Sequence, residues 1–109
     1  MAKNKETEAR RAELEAIFAN IDEAKAGIVK KLIVELVFLE ERLDELRKLP
    51  FIRIHPNDPT RQQYTPAGKQ YKELMQSYLN AVKVLTMLLS RYGVEEQDAF
   101  EQWLESKRL

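Results

Sequence analysis

The chain has 109 residues, no cysteine and a formal net charge of zero. That length is one domain, of a size that buries roughly two-thirds of the surface its unfolded chain exposes. Without thiols there are no disulfides, no thiolate catalysis and no cysteine-ligated zinc, and the neutral balance gives no chain-wide basic character that would demand nucleic acid.

Residues 1–5 are polar and expected to fray. From 6 to 19 the composition is alanine, glutamate and arginine, all strong helix formers, with Leu14, Ile17, Phe18 and Ile21 on a narrow apolar face. Asn20-Ile21-Asp22-Glu23 then reads as a break. Asn20 has capping-box spacing to Glu23, and Asp22 is a rival N-cap. A second helix is expected over 23–48. Val29, Leu32, Leu36, Leu39, Leu43 and Leu46 alternate by three and four, a heptad seam. Ile28, Ile33, Val34, Val37 and Phe38 widen that seam until the helix is apolar nearly all round. Beyond Phe38 it narrows, and Glu40, Glu41, Asp44 and Glu45 read as a solvated face. Pro50 stops the helix.

Residues 49–66 change character. Phe51 to His55 is β-prone, Pro56-Asn57-Asp58-Pro59 is turn chemistry, and residues 61–65 can return as a second strand. A small β-hairpin and an extended flap both fit. Thr65-Pro66 is a helix start, threonine at N-cap and proline at N1. The helix over 67–92 carries a second seam: Ala67, Tyr71, Leu74, Tyr78, Ala81, Leu85, Leu88 and Tyr92. Met75, Leu79, Val82, Val84, Met87 and Leu89 thicken it. Gly93 suits the C′ position. The segment 94–109 holds a short helix, near 95–106, with Ala99, Phe100, Trp103 and Leu104 on one face. The expected fold is all-α: a long antiparallel helical hairpin with a non-helical tip, its short flanking helices meeting at the opposite end.

Catalytic signals are sparse. The single histidine, His55, lies in the tip, and Ser77, Ser90 and Ser106 lie on helices far from it in sequence. Neither a serine nucleophile nor a metal site is expected, and no cofactor or small-molecule substrate is implied. Ala67-Gly68-Lys69 resembles the end of a phosphate-binding loop but lacks the earlier glycine and the hydroxyl residue. The N-terminus shows no apolar signal core, and the longest uncharged apolar stretch, 84–90, is far short of the ~20 residues a membrane span needs. A cytoplasmic protein with no membrane partner is expected.

Charge is unevenly spread. Arg47, Lys48, Arg53, Arg61, Lys69 and Lys72 face a single acid, Asp58, between residues 47 and 72, and Phe51, Tyr64 and Tyr71 interleave with them. This pattern suits a nucleic-acid backbone, and ordinary surface charge also accounts for it. The apolar excess on the two long helices exceeds what one partner helix covers. It points to a homo-oligomer, with Leu32, Leu36, Phe38, Leu39, Tyr78 and Leu85 as interface. Phe100, Trp103 and Leu104 either pack on the N-terminal helix near Ile17 or Phe18 or stay exposed as a docking face for a partner.

Three stretches carry a family resemblance. They are Ala16-Ile17-Phe18-Ala19-Asn20-Ile21, the run from Val29 through Leu36-Val37-Phe38-Leu39 to Glu41, and Leu43-Asp44-Glu45-Leu46. With Tyr71-Lys72-Glu73-Leu74, Leu85, Leu88-Leu89 and Tyr92-Gly93-Val94, they resemble small phage and prophage proteins grouped with bacteriophage terminase small subunits. In those proteins a long helix, a short insert and a second long helix follow one another. The resemblance implies a non-enzymatic DNA-packaging accessory in a bacterial host cell. It would assemble through its helical hairpin, bind double-stranded DNA and serve a large terminase subunit. The N-terminal helix-turn-helix of larger members has no counterpart here. A helical adaptor or regulatory protein with a protein partner and no DNA is the alternative.

Overall fold

The computed structural model describes residues 2–91 and 93–107. Among these are four helices and one two-stranded antiparallel sheet, in the order α1 Ala2–Ile17, α2 Glu23–Leu46, β1 Ile52–His55, β2 Asp58–Tyr64, α3 Pro66–Leu89 and α4 Val94–Glu105. The fold is thus mostly helical but not all-α, because the tip forms a hairpin. Tyr92, placed at the end of the second seam, lies outside the described residues, as do Met1 and the last two residues of the segment 94–109.

Local chemistry sets most boundaries. α1 already begins at Ala2, so residues 2–5 are helical. At the break, Asp22 is the N-cap in place of Asn20, and its carboxylate accepts from the Ala24 amide. Thr65 caps α3 through the Gly68 amide, and Pro66 sits in the first turn. α3 stops three residues before the expected end, with Ser90 as its C-cap, and Gly93 does not close it. Gly93 instead precedes α4, at φ +147°, a backbone conformation that side chains other than glycine rarely adopt.

α2 and α3 run antiparallel: Arg42 reaches Gln70, and Glu40 reaches Tyr78 further along α3. α1 lies against α2 and α4, and α3 lies against α2 and α4, closing the ring of a four-helix bundle. The flanking helices do meet, but along the flank of the long pair. Arg10 bonds Glu40, and Lys107 bonds Asp44 at 2.7 Å, near the end of α2 that leads to the hairpin. Leu14, Leu36, Leu43 and Leu85 fill the interior, and Phe18 meets Phe100 edge-on with ring centroids 5.6 Å apart. The hairpin projects from the bundle and gives the molecule extents of 59 × 32 × 22 Å. Its radius of gyration is 17.1 Å, where a compact chain of this length has about 13 Å. Among the described residues no helix is long and apolar enough to cross a membrane.

The largest departure from expectation is Glu40. It does not belong to a solvated face: it is 1% exposed. Arg10 grips it with two bonds, Nε to Oε1 at 3.1 Å and Nη2 to Oε2 at 2.7 Å. The Tyr78 hydroxyl donates to Oε2 at 2.8 Å. The Arg10 guanidinium then lies 3.7 Å from the centre of the Trp103 ring, and its Nη1 donates to the Trp103 carbonyl at 2.9 Å. Trp103 returns the contact, its indole N–H donating to the Arg10 carbonyl at 3.1 Å. One cluster therefore ties together α1, α2, α3 and α4. Trp103 packs on Arg10, while Phe100 takes the place beside Phe18.

Removing Glu40 strands Arg10 and Tyr78 inside the bundle. Glu40→Ala is expected to cost about 3–5 kcal/mol, the range for breaking one side of a buried pair. Urea unfolding followed by the emission of Trp103, the single tryptophan, measures it. Burial first, and the Glu40 charge next, push the Tyr78 phenol well above its ordinary value of 10.0. The folded state thus holds that proton after the unfolded chain has lost it. The stabilisation is complete below pH ~10 and falls by about 1.4 kcal/mol per unit above it, a slope that Tyr78→Phe should remove.

Candidate nucleic-acid interface at the hairpin

Pro50 cannot continue α2, and the chain turns into β1. Ile52 pairs with Tyr64, Arg53 with Gln63 and Ile54 with Gln62, with a register shift before His55 pairs with Asp58. Side chains alternate across a strand. Ile52, Ile54, Gln62 and Tyr64 therefore share one face and the paired Arg53 and Gln63 the other, while Arg61 lies in the stretch where the register shifts. Pro59 is tolerated because both strands of this sheet are edges. The turn is held by its own polar groups. The Asn57 amide donates to His55 Nδ1 at 3.1 Å, and Asp58 Oδ1 accepts from the Thr60 amide and hydroxyl at 3.1 and 2.6 Å. Those Thr60 bonds, the hydroxyl's foremost, hold the Asp58 carboxyl below its ordinary range.

The base of the hairpin is clamped to α3. The Thr65 amide donates to the Phe51 carbonyl at 2.9 Å, and its hydroxyl donates to the Pro50 carbonyl at 2.5 Å. Phe51 stacks on Tyr71 at 4.7 Å between centroids. Gly68 is buried against the Phe51 backbone, so its missing side chain is what allows this approach. Two of the three aromatics that interleave with the basic residues are thus structural, and only Tyr64 stands free, 57% exposed.

The six basic residues do not form one patch. Arg53 and Arg61, both exposed, line a groove of about 410 Å³ with His55, Thr60 and Gln63. Lys69 and Lys72 line a separate cleft with Tyr64, Glu73 and Gln76. Lys48 faces a third groove with Glu6, Glu13, Glu41, Asp44 and Lys107, and Arg47 is exposed at the end of α2. Among the described residues, no ion pair engages Arg53, Arg61, Lys69 or Lys72.

The residues expected at an oligomer interface divide. Leu36, Leu39, Tyr78 and Leu85 are buried within the single chain, and Leu32 is half-buried. Phe38 is 56% exposed, and Ile28 and Val34 on α2 and Leu79, Val84 and Met87 on α3 join it outside. α1 exposes no large apolar residue among those described, and α4 exposes only Val94. The apolar surface of the bundle therefore belongs to α2 and α3. The heptad seam pointed inward, and the signal for the outward set was the widening residues around it. Phe100 and Trp103 are buried and Leu104 is half-buried, which leaves no aromatic docking face on α4. The Ser77, Ser90 and Ser106 hydroxyls donate to helix carbonyls four or three residues back. Among the described residues, no group of three His, Cys, Asp or Glu side chains is placed to hold a metal ion.

Compared with family models, curated proteins and solved structures, the chain matches none.

Gly68→Ala sets a Cβ against the Phe51 backbone carbonyl, which cannot swing aside. The expected result is a detached hairpin on an intact bundle, at a cost of about 1–3 kcal/mol. Limited proteolysis within residues 52–64 should accelerate while the helical circular-dichroism signal stays unchanged.

Proposed function

We propose that this protein is a non-enzymatic helical scaffold that holds nucleic acid on its hairpin and self-associates through the outward faces of α2 and α3. The observation that carries the first part is the placement of Arg53 and Arg61. They line one groove of a projecting, clamped hairpin, exposed and without an ion-pair partner among the described residues. Arginine forks there meet phosphate oxygens without first giving up an internal bond. Self-association is supported by the exposed apolar set on α2 and α3 and by total surface. The chain exposes 7988 Å², where a folded monomer of its 12.8 kDa mass exposes about 6,300 Å².

The narrower form of this reading is a phage DNA-packaging accessory that assembles and delivers double-stranded DNA to a large terminase subunit. Its support is the sequence resemblance, with which the observed order of long helix, short insert and long helix agrees. The apolar faces of α2 and α3 also favour a second reading, a helical adaptor that binds a protein partner without DNA. Salt separates the two. Phosphate contacts make binding fall steeply with ionic strength, because each releases counterions.

Two measurements test the proposal. Nucleic acid binding should weaken with salt and disappear in the Arg53→Glu/Arg61→Glu double variant, whose helical signal stays intact. Unchanged affinity in that variant removes the hairpin from the interface. By light scattering the native protein should exceed the monomer mass at high concentration, and Phe38→Glu should return it to the monomer. A strictly monomeric native protein defeats the self-association.

A further inference from the structure

The nucleic-acid reading leaves open which form of nucleic acid is held, and the structure carries a second feature that bears on it. Tyr64 ends β2, and its exposed ring is on the sheet face opposite Arg53. Beside it, Lys69 and Lys72 project from the first two turns of α3, three residues apart and so on one side of the helix. Tyr64, both lysines, Glu73 and Gln76 line a cleft of about 510 Å³, within the range of about 300–1,000 Å³ that small-ligand sites occupy.

From this cleft we infer that the protein binds one unstacked nucleobase on the Tyr64 ring, with the adjoining phosphate between Lys69 and Lys72. Its preferred nucleic acid is therefore single-stranded. The inference rests on the reading of the hairpin as a nucleic-acid contact and deepens it, and in preferring a single strand it departs from the narrower double-stranded DNA form of that reading.

Three features support it. First, the backbone that carries the ring is fixed. Tyr64 is paired to Ile52 across the sheet, and the next residue, Thr65, is bonded to both Pro50 and Phe51. Only the side-chain rotation remains to be restricted when a base stacks on the ring. Second, the neighbouring aromatics are already spent on each other, Phe51 on Tyr71, so an open ring face beside two cations is specific to Tyr64. Third, charge in the cleft is modest because Glu73 sits beside the lysines. Stacking must then supply much of the affinity, and stacking needs a free base face. A duplex keeps its bases stacked on one another, whereas a single strand can splay one out. Arg53 and Arg61, in the separate groove nearer the turn, are left to follow the backbone on either side of that base.

The test is fluorescence anisotropy with a labelled oligothymidylate and a labelled duplex of the same length, at low and moderate salt. The native protein should prefer the single strand. Tyr64→Ala should weaken single-strand binding by about tenfold, as loss of one stacked base does, and leave duplex binding unchanged. Tyr64→Phe keeps the ring and should keep the affinity, which excludes a fold effect of the alanine variant. Glu73→Gln should tighten the single-strand complex. The inference is overturned if Tyr64→Ala binds the oligothymidylate as the native protein does, or if it weakens both ligands equally. If the duplex binds and the Arg53→Glu/Arg61→Glu variant loses it while Tyr64→Ala changes nothing, the cleft is wrong and the hairpin reading stands. If the native protein binds neither ligand at low salt, the hairpin reading falls and this inference falls with it.

Discussion

A carboxylate in a protein interior is costly unless it is paired with a cation and hydrogen-bonded, and Glu40 accepts three bonds. Two bonds come from the Arg10 fork and one from the Tyr78 hydroxyl. Arg10 is answered in turn by the Trp103 carbonyl, the Ser106 hydroxyl and the Trp103 ring. No buried side-chain nitrogen or oxygen among the described residues is left without a partner. Because the members sit on four different helices, the cluster can be completed in only one register of the bundle. A slip of α1 by one turn would leave a buried charge facing hydrocarbon. Hydrophobic burial around Leu14, Leu36 and Leu85 supplies most of the stabilisation and is tolerant of sliding. The Glu40 cluster supplies the register.

Register at the bundle fixes geometry at the hairpin. α2 and α3 leave the bundle at a set spacing, and Thr65 and Gly68 close the gap between their ends. An isolated two-stranded hairpin is marginal in water. This one is held by its base, so Arg53, Arg61 and Tyr64 are presented from a stable stalk without a covering layer of their own. The apolar faces of α1 and α4 and the Glu40 cluster build the bundle, α2 and α3 leave apolar residues exposed on its outside, and the hairpin carries Arg53, Arg61 and Tyr64.

Much of this was legible in the residues. Thr65-Pro66, Pro50 and the break at 20–23 are strong local signals, and each lies within a few residues of an observed boundary. The tip was read correctly as a change of character, but turn chemistry alone could not choose a hairpin over a flap. Glu40 was misread because it begins the acidic run Glu40, Glu41, Asp44 and Glu45. Its helical neighbours told otherwise: Leu36 and Val37 precede it by four and three residues and Leu43 follows by three, which places it on the seam. Its partner Arg10 lies 30 residues away in a helix of ordinary surface composition, and nothing local marks that arginine as buried. The basic residues were counted correctly but not placed, since alternation across β1 and β2 and the start of α3 distribute them over separate grooves.

The central claim is that Arg10, Glu40 and Tyr78 act as one unit that sets the bundle's register. Among the described residues no hydrogen bond joins Arg10 to Tyr78, and both bond the same oxygen, Glu40 Oε2. A double-mutant cycle of Arg10→Ala and Tyr78→Phe, read by urea unfolding, therefore measures the unit directly. The account predicts a coupling of at least about 1 kcal/mol between them, transmitted by the shared carboxylate. Additivity within about 0.3 kcal/mol would show two independent contacts and contradict it.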